Sequence, residues 1–102
     1  MTVKVTQTIS GAPPAAGTFT AAIPSKTRGT LGLLNISIYG ATWAGTVTLQ
    51  RAFDGGSTWR DVDTFTANEE TQLYDNEAGV NYRIGIKSGE YSSGSVAVRL
   101  SR

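Results

Sequence analysis

The sequence predicts an all-β protein: an antiparallel β-sandwich, jelly-roll or Greek-key like, of about seven or eight strands with no significant helix. Three observations carry this. Apolar and polar residues alternate with a period of two through most of the chain, as in Val80-Asn-Tyr-Arg-Ile-Gly-Ile-Lys87. Turn-forming residues recur about every 8–12 positions. Thr, Ser and Gly are abundant while Lys, Glu and Leu are scarce, a composition suited to strands and turns. The 102 residues make one domain, 1–102, able to bury roughly two-thirds of its unfolded surface.

In chain order, residues 2–9 form a first strand with Val3, Val5, Gln7 and Ile9 on one side. It is expected to close a sheet edge or to reach a neighbouring subunit. Ser10 to Gly17 contains Pro13 and Pro14, which cannot donate to a ladder, and reads as a connector. Thr18 to Ile23 is a short strand stopped by Pro24, with Phe19, Ala21 and Ile23 sharing a face. Ser25 to Thr30, with Lys26 and Arg28, is a solvated basic loop. Leu31 to Tyr39 is the most apolar segment and a central strand, Leu34, Ile36 and Ile38 alternating with Asn35, Ser37 and Tyr39. Gly40 to Gly45 is a link whose Trp43 covers one end of the core.

Gly45 to Trp59 is the stretch around which the rest is organised: a strand, a tight turn and the start of a second strand. Val47, Leu49, Arg51 and Phe53 point to one side, and Thr46, Thr48, Gln50 and Ala52 to the other, as in a half-buried strand. Asp54-Gly55-Gly56-Ser57 supplies the turn, with Asp54 capping the backbone two residues on and the glycines reaching positive φ. Thr58 completes it and Trp59 is expected to anchor the hairpin in the core. On the return strand, Trp59 to Thr66, strict alternation would group Trp59, Asp61, Asp63 and Phe65. A β-bulge near Asp61 instead turns Trp59, Val62 and Phe65 inward, and is the preferred reading.

Ala67 to Glu70 reads as a turn, Thr71 to Asp75 as a strand with Leu73 inward, and Asn76 to Gly79 as another turn. Val80 to Lys87 places Tyr82, Ile84 and Ile86 inside and Arg83 and Lys87 outside, with Gly85 leaving room for a neighbouring side chain. Ser88 to Gly94 reads as a hairpin loop, so Val80–Leu100 is expected to pair locally. The last strand, Ser95 to Ser101, turns Val96, Val98 and Leu100 inward.

The composition narrows the chemistry. Cys and His are absent, which removes disulfides, thiolate sites, the usual general base and the commonest zinc ligand. Nine basic and eight acidic residues are interspersed, net +1, with a pI near 8.1, short of what a nucleic-acid binder shows. No apolar run is long enough to cross a bilayer, and the alternating N-terminus lacks a secretory core. The expectation is a soluble chain made in the cytoplasm, with no cofactor, metal, nucleic acid or membrane partner. Asp61 and Asp63 lack a converging third ligand in the sequence, so they read as solvated acids rather than a metal pair or a glycosidase dyad. Glu69, Glu70, Asp75 and Glu77, placed in turns, read the same way. No enzyme activity is expected. Among the aromatics, Tyr82 is inward and Trp59 belongs to the hairpin, leaving Tyr39, Trp43 and Tyr91 as candidate glycan contacts.

Two resemblances add to this reading. Ala52-Phe-Asp-Gly-Gly-Ser-Thr-Trp59 resembles the Asp-box of sialidases and related propellers through Asp54, Gly56, Thr58 and Trp59, with Ala52 where that family has Ser. The resemblance implies a structural hairpin and no hydrolase activity; one copy in a short chain excludes a propeller. More widely, Gly45 to Val62, Glu77 to Ile84 and Tyr91 to Ser101 resemble small proteins encoded in the structural-gene region of tailed bacteriophages; many of these carry no assigned role, and those with one are mostly virion components, often capsid decoration or cement proteins. The region before Gly45 departs most from that pattern. The resemblance implies a non-enzymatic virion component on the outer capsid surface. Its expected partners are the major capsid protein and further copies of itself, as a dimer or trimer. Pro13, Pro14, Lys26 and Arg28 are the candidate protein contacts. The alternative is a tail- or fibre-associated module that binds host glycan through Tyr39, Trp43 and Tyr91.

Overall fold

A computed structural model describes residues 4–26 and 32–102. Among them lie eleven strands and no helix: β1 (Lys4–Ile9), β2 (Thr18–Phe19), β3 (Ile23–Pro24), β4 (Leu33–Tyr39), β5 (Trp43–Gly45), β6 (Val47–Ala52), β7 (Arg60–Phe65), β8 (Glu69–Tyr74), β9 (Asn81–Ile86), β10 (Tyr91–Gly94) and β11 (Val96–Ser101). A four-stranded sheet has the order β1-β11-β4-β8; a five-stranded one runs β2-β9-β6-β7, with β3 also on β9; β5 and β10 form a separate two-stranded ribbon. All pairings are antiparallel.

This order is that of a jelly roll. β2 and β3 act as one interrupted strand, because both pair with β9. Counting them so, and setting the ribbon aside, leaves eight sandwich strands, four in each sheet. Successive strands cross from one sheet to the other, so neighbours within a sheet are distant in sequence. Among the described long strands, β6 and β7 alone follow one another within a sheet. The expected Gly45–Trp59 hairpin is therefore real, whereas the expected local pairing of Val80–Leu100 is not. β9 pairs with β6, and β11 with β1 and β4. The two strands lie in opposite sheets and share one core. Tyr82, Ile84 and Ile86 on one, and Val96, Val98 and Leu100 on the other, are all buried. Burying both apolar rows in one interior satisfies the alternation better than a two-stranded hairpin would.

The core also takes Ile9, Ile23, Leu34, Ile36, Ile38, Val47, Leu49 and Val80, with Val5, Val62, Phe65 and Leu73 packed at its margin. Residues 4–9 form an edge strand, and β4 is internal, between β11 and β8, as its apolar content predicts.

Several local expectations are corrected. The Thr18–Ile23 strand breaks in two, with Ala21 exposed and Thr20 buried between the halves; Thr20 donates its backbone N–H to Ile84 O. Glu69 and Glu70 begin a strand instead of forming a turn, held by Ile38 and Ser37 opposite. Segments read as link and hairpin loop, 40–45 and 88–94, pair with each other as β5 and β10. β6 is buried on both faces, not one: Thr48 is 0% and Gln50 6% exposed. The preferred bulge is present. Leu49 pairs with Asp63 and Gln50 with Asp61, leaving Val62 as the extra residue.

Candidate contact surfaces

The Asp54 turn was the most specific motif in the sequence. The Asp54 carboxylate accepts backbone N–H bonds from Ser57 at 3.1 Å and Thr58 at 2.9 Å. It caps three and four residues on, rather than the expected two. These bonds, Thr58 foremost, hold its pKa below the ordinary carboxylate value. Gly55 and Gly56 adopt φ of 74° and 95°, a region that costs other residues strain. The turn is thus self-contained, with its acid engaged by its own backbone. Trp59 does not enter the core. It is half-buried on the outer face of its sheet, where the Arg83 guanidinium lies 4.4 Å from its ring.

That contact belongs to a knitted surface. Arg83 also lies 4.1 Å from the Phe19 ring, so aromatic faces cover it on two sides. Its Nε donates to Gln50 Oε1 at 2.9 Å, and Gln50 Nε2 donates to Asp61 Oδ1 at 2.9 Å. Lys87 Nζ closes the row on Asp61 Oδ2. Asp61 is held below the usual carboxylate pKa, first by the Lys87 bond and then by Gln50; the same bond raises Lys87. Gly85 makes room for the neighbouring Phe19 ring, as expected, and for backbone as well: a Cβ there would meet Thr18 O and stand 2.6 Å from Phe19 Cα and 2.9 Å from its ring. Beneath this layer the Thr48 hydroxyl is buried without a hydrogen-bond partner.

The outer face of the four-stranded sheet is different. Its register places Thr6, Arg99, Ser37 and Glu70 in one row and Lys4, Ser101, Asn35 and Gln72 in the next. Ser37 Oγ donates to Glu70 Oε2 at 2.5 Å, and Gln72 Nε2 donates to Asn35 Oδ1 at 2.8 Å. A shallow groove of about 630 Å³ runs over these side chains and Arg99. Tyr39 flanks it at one end of β4; Leu33, paired with Tyr74, flanks it at the other. Tyr39 and Tyr74 are 66% and 59% exposed.

The candidate protein contacts separate. Pro13 and Pro14 lie in the β1–β2 connection, where Gly17 N–H closes a turn on Pro14 O at 2.8 Å, beside Ile86 and Lys87. Lys26 lies at the other end of β9, donating to Asn76 Oδ1 at 3.0 Å. Next to it, Ser25 is buried, its N–H on Val80 O and its hydroxyl on Glu77 O. Arg28 lies outside the described residues.

The candidate glycan contacts do not form a platform. Tyr39 alone is well exposed. Trp43 packs on the core and donates Nε1 to Asn68 Oδ1 at 2.8 Å; Asn68 also bridges both backbone groups of Gly40. Trp43 therefore covers one end of the core, as expected. Tyr91 packs there too, its hydroxyl on Gly94 O at 2.8 Å. Sequence reasoning passed over Tyr74. The signal was present: Leu73 inward puts Glu70, Gln72 and Tyr74 outward together.

Asp61 and Asp63 do not converge on a site. Asp61 is tied to Lys87 and Gln50, and Asp63 accepts the Thr64 N–H at 2.8 Å. Among the described residues, no three His, Cys, Asp or Glu side chains are placed to hold a metal ion.

No protein-family model matches the chain, and no curated protein matches it. A solved structure resembles it over almost its full length: the crystal structure of the Yersinia pseudotuberculosis-derived mitogen (YPM), with a TM-score of 0.58 and 18% identity. The match covers 98% of this chain and 84% of that one. At this identity the likeness is one of fold.

Proposed function

We propose that the chain is a non-enzymatic virion structural protein of a tailed bacteriophage, a decoration or cement protein that docks on the capsid lattice. The resemblance of Gly45–Ser101 to such proteins motivates the reading. The observation that carries it is the placement of the candidate contacts at opposite ends of the sandwich. Pro13-Pro14 lies beyond one end of β9 and Lys26 beyond the other. Six residues of strand separate them, roughly 17 Å. A rigid body with a docking point at each end spans two neighbours, which is what cementing a lattice requires.

The partners proposed are the major capsid protein and further copies of the chain. Edge strand β1, Lys-Val-Thr-Gln-Thr-Ile, supports self-association as a dimer or trimer. It carries one charge, at its end, whereas edges β7 and β8 carry three and two. Charges, short length and proline on edge strands oppose edge-to-edge pairing. The remaining edge, β2 and β3, has no charge but is split into two-residue pieces, the second ending in Pro24, which leaves β1 the least protected.

Mass spectrometry and cryo-electron microscopy of purified virions, from the phage whose genome encodes the chain, test the reading. The expected result is a stoichiometric copy number and sandwich-shaped density on the outer capsid. Absence from purified particles overturns it.

A further inference from the structure

We infer that the groove on the outer face of the four-stranded sheet binds an extended oligosaccharide, independently of docking through the two ends. The floor lining includes Ser37, Asn35, Gln72, Glu70 and Arg99, a mixture of hydrogen-bond donors and acceptors on rigid strands. A ligand dense in hydroxyls, each of which donates and accepts, matches such a floor. Tyr39 and Tyr74, both more than half exposed, stand at its two ends. From Tyr39 to Leu33, the partner of Tyr74, β4 runs seven residues, roughly 20 Å, a length that several linked sugar rings span. Each tyrosine offers an aromatic face for a sugar ring and a hydroxyl for a hydrogen bond.

The charges of this face weigh against other occupants. Arg99 has no ion pair among the described residues, whereas Lys87 on the opposite face does. The face carries two cations, Lys4 and Arg99, and the acid Glu70, too little positive charge for a nucleic-acid track. An amphipathic helix needs an apolar groove, and this floor is polar. Among the described residues, three of the four exposed large hydrophobic side chains, Leu33, Tyr39 and Tyr74, belong to this face; the fourth, Phe53, lies beside the Asp54 turn. Their concentration around a polar groove separates this surface from the rest of the molecule.

The test is a printed array of bacterial and mammalian surface oligosaccharides probed with the labelled full chain. Tyr39→Ala, Tyr74→Ala, Arg99→Ala and Phe53→Ala are run beside it, each checked for an unchanged thermal midpoint. The expected result is capture on a defined subset of glycans. The Tyr39, Tyr74 and Arg99 variants each weaken it tenfold or more, and Phe53→Ala leaves it unchanged. Capture of none by the unaltered chain, or equal loss with Phe53→Ala, overturns the inference. Association of the Tyr74→Ala chain with purified virions stays at the unaltered level, so a failed glycan site and a failed capsid role give different results.

Discussion

The two outer faces of the sandwich use the same ingredients, amides, hydroxyls, an arginine and aromatics, to opposite ends. On the five-stranded side Arg83 is held between Phe19 and Trp59, and Gln50, Asp61 and Lys87 follow in an unbroken row. The side chains satisfy one another, and the strand beneath them is buried on both faces. On the four-stranded side Arg99 has no ion pair among the described residues, the bonds run only in pairs, and two tyrosines face solvent. A surface whose groups are already matched contributes to stability; one whose groups are left spare is available to a partner.

The contrast breaks most readily at Gly85. Gly85→Ala forces a methyl against the backbone of β2, which has to move off its neighbour. The expected loss is about 3 kcal/mol in urea denaturation, with Arg83 released from Phe19. A loss below about 1 kcal/mol would mean that the layer over β9 is not tightly seated. Next comes a matched pair of arginines. Arg83→Ala removes two cation–aromatic contacts and leaves Gln50 without its donor, an expected cost of about 2 kcal/mol. Arg99→Ala is expected to stay within about 0.5 kcal/mol.

A smaller effect of opposite sign belongs to Thr48. Its buried hydroxyl has no partner, so Thr48→Val is expected to be neutral or to stabilise by up to about 1 kcal/mol. A clear loss would show that the hydroxyl is satisfied in solution. Tyr82, where the core meets the rim, gives a pH dependence confined to the alkaline range. Burial, and then its hydrogen bond to Asp75 Oδ2 at 2.7 Å, push its pKa up to about 12. A raised folded value stabilises the fold fully below the free tyrosine pKa of about 10. That contribution is lost as pH rises from there through about 12. Ultraviolet titration should show one phenol ionising well after the ordinary tyrosine range, and Tyr82→Phe should remove that step.

The residues explain which parts of this were legible from sequence. The β6–β7 hairpin, its Asp54 turn and the bulge at Val62 were readable because everything that fixes them lies within about twenty residues. The inward rows of β4, β9 and β11 were readable because their alternation is strict. Their partners were not, because a jelly roll pairs strands remote in sequence, and nothing in Val80–Ile86 says whether β11 lies beside it or across the core. The position of Trp59 was misjudged for a related reason. Its ring follows Arg83 and Phe19, contributed by two other strands, and a pattern along one strand cannot register them. Tyr74 was readable from its phase with Leu73, but that phase was not used.

The central claim is that the ends of the sandwich dock while the four-stranded face stays open. The chain has no cysteine, so single thiols report on it without background. Virions carrying Pro14→Cys, Lys26→Cys or Gln72→Cys are treated with a maleimide, and the rate is compared with that of the free protein. The account predicts strong protection at 14 and 26 in the particle and free-protein rates at 72. Protection at 72 with unchanged rates at 14 and 26 would contradict it.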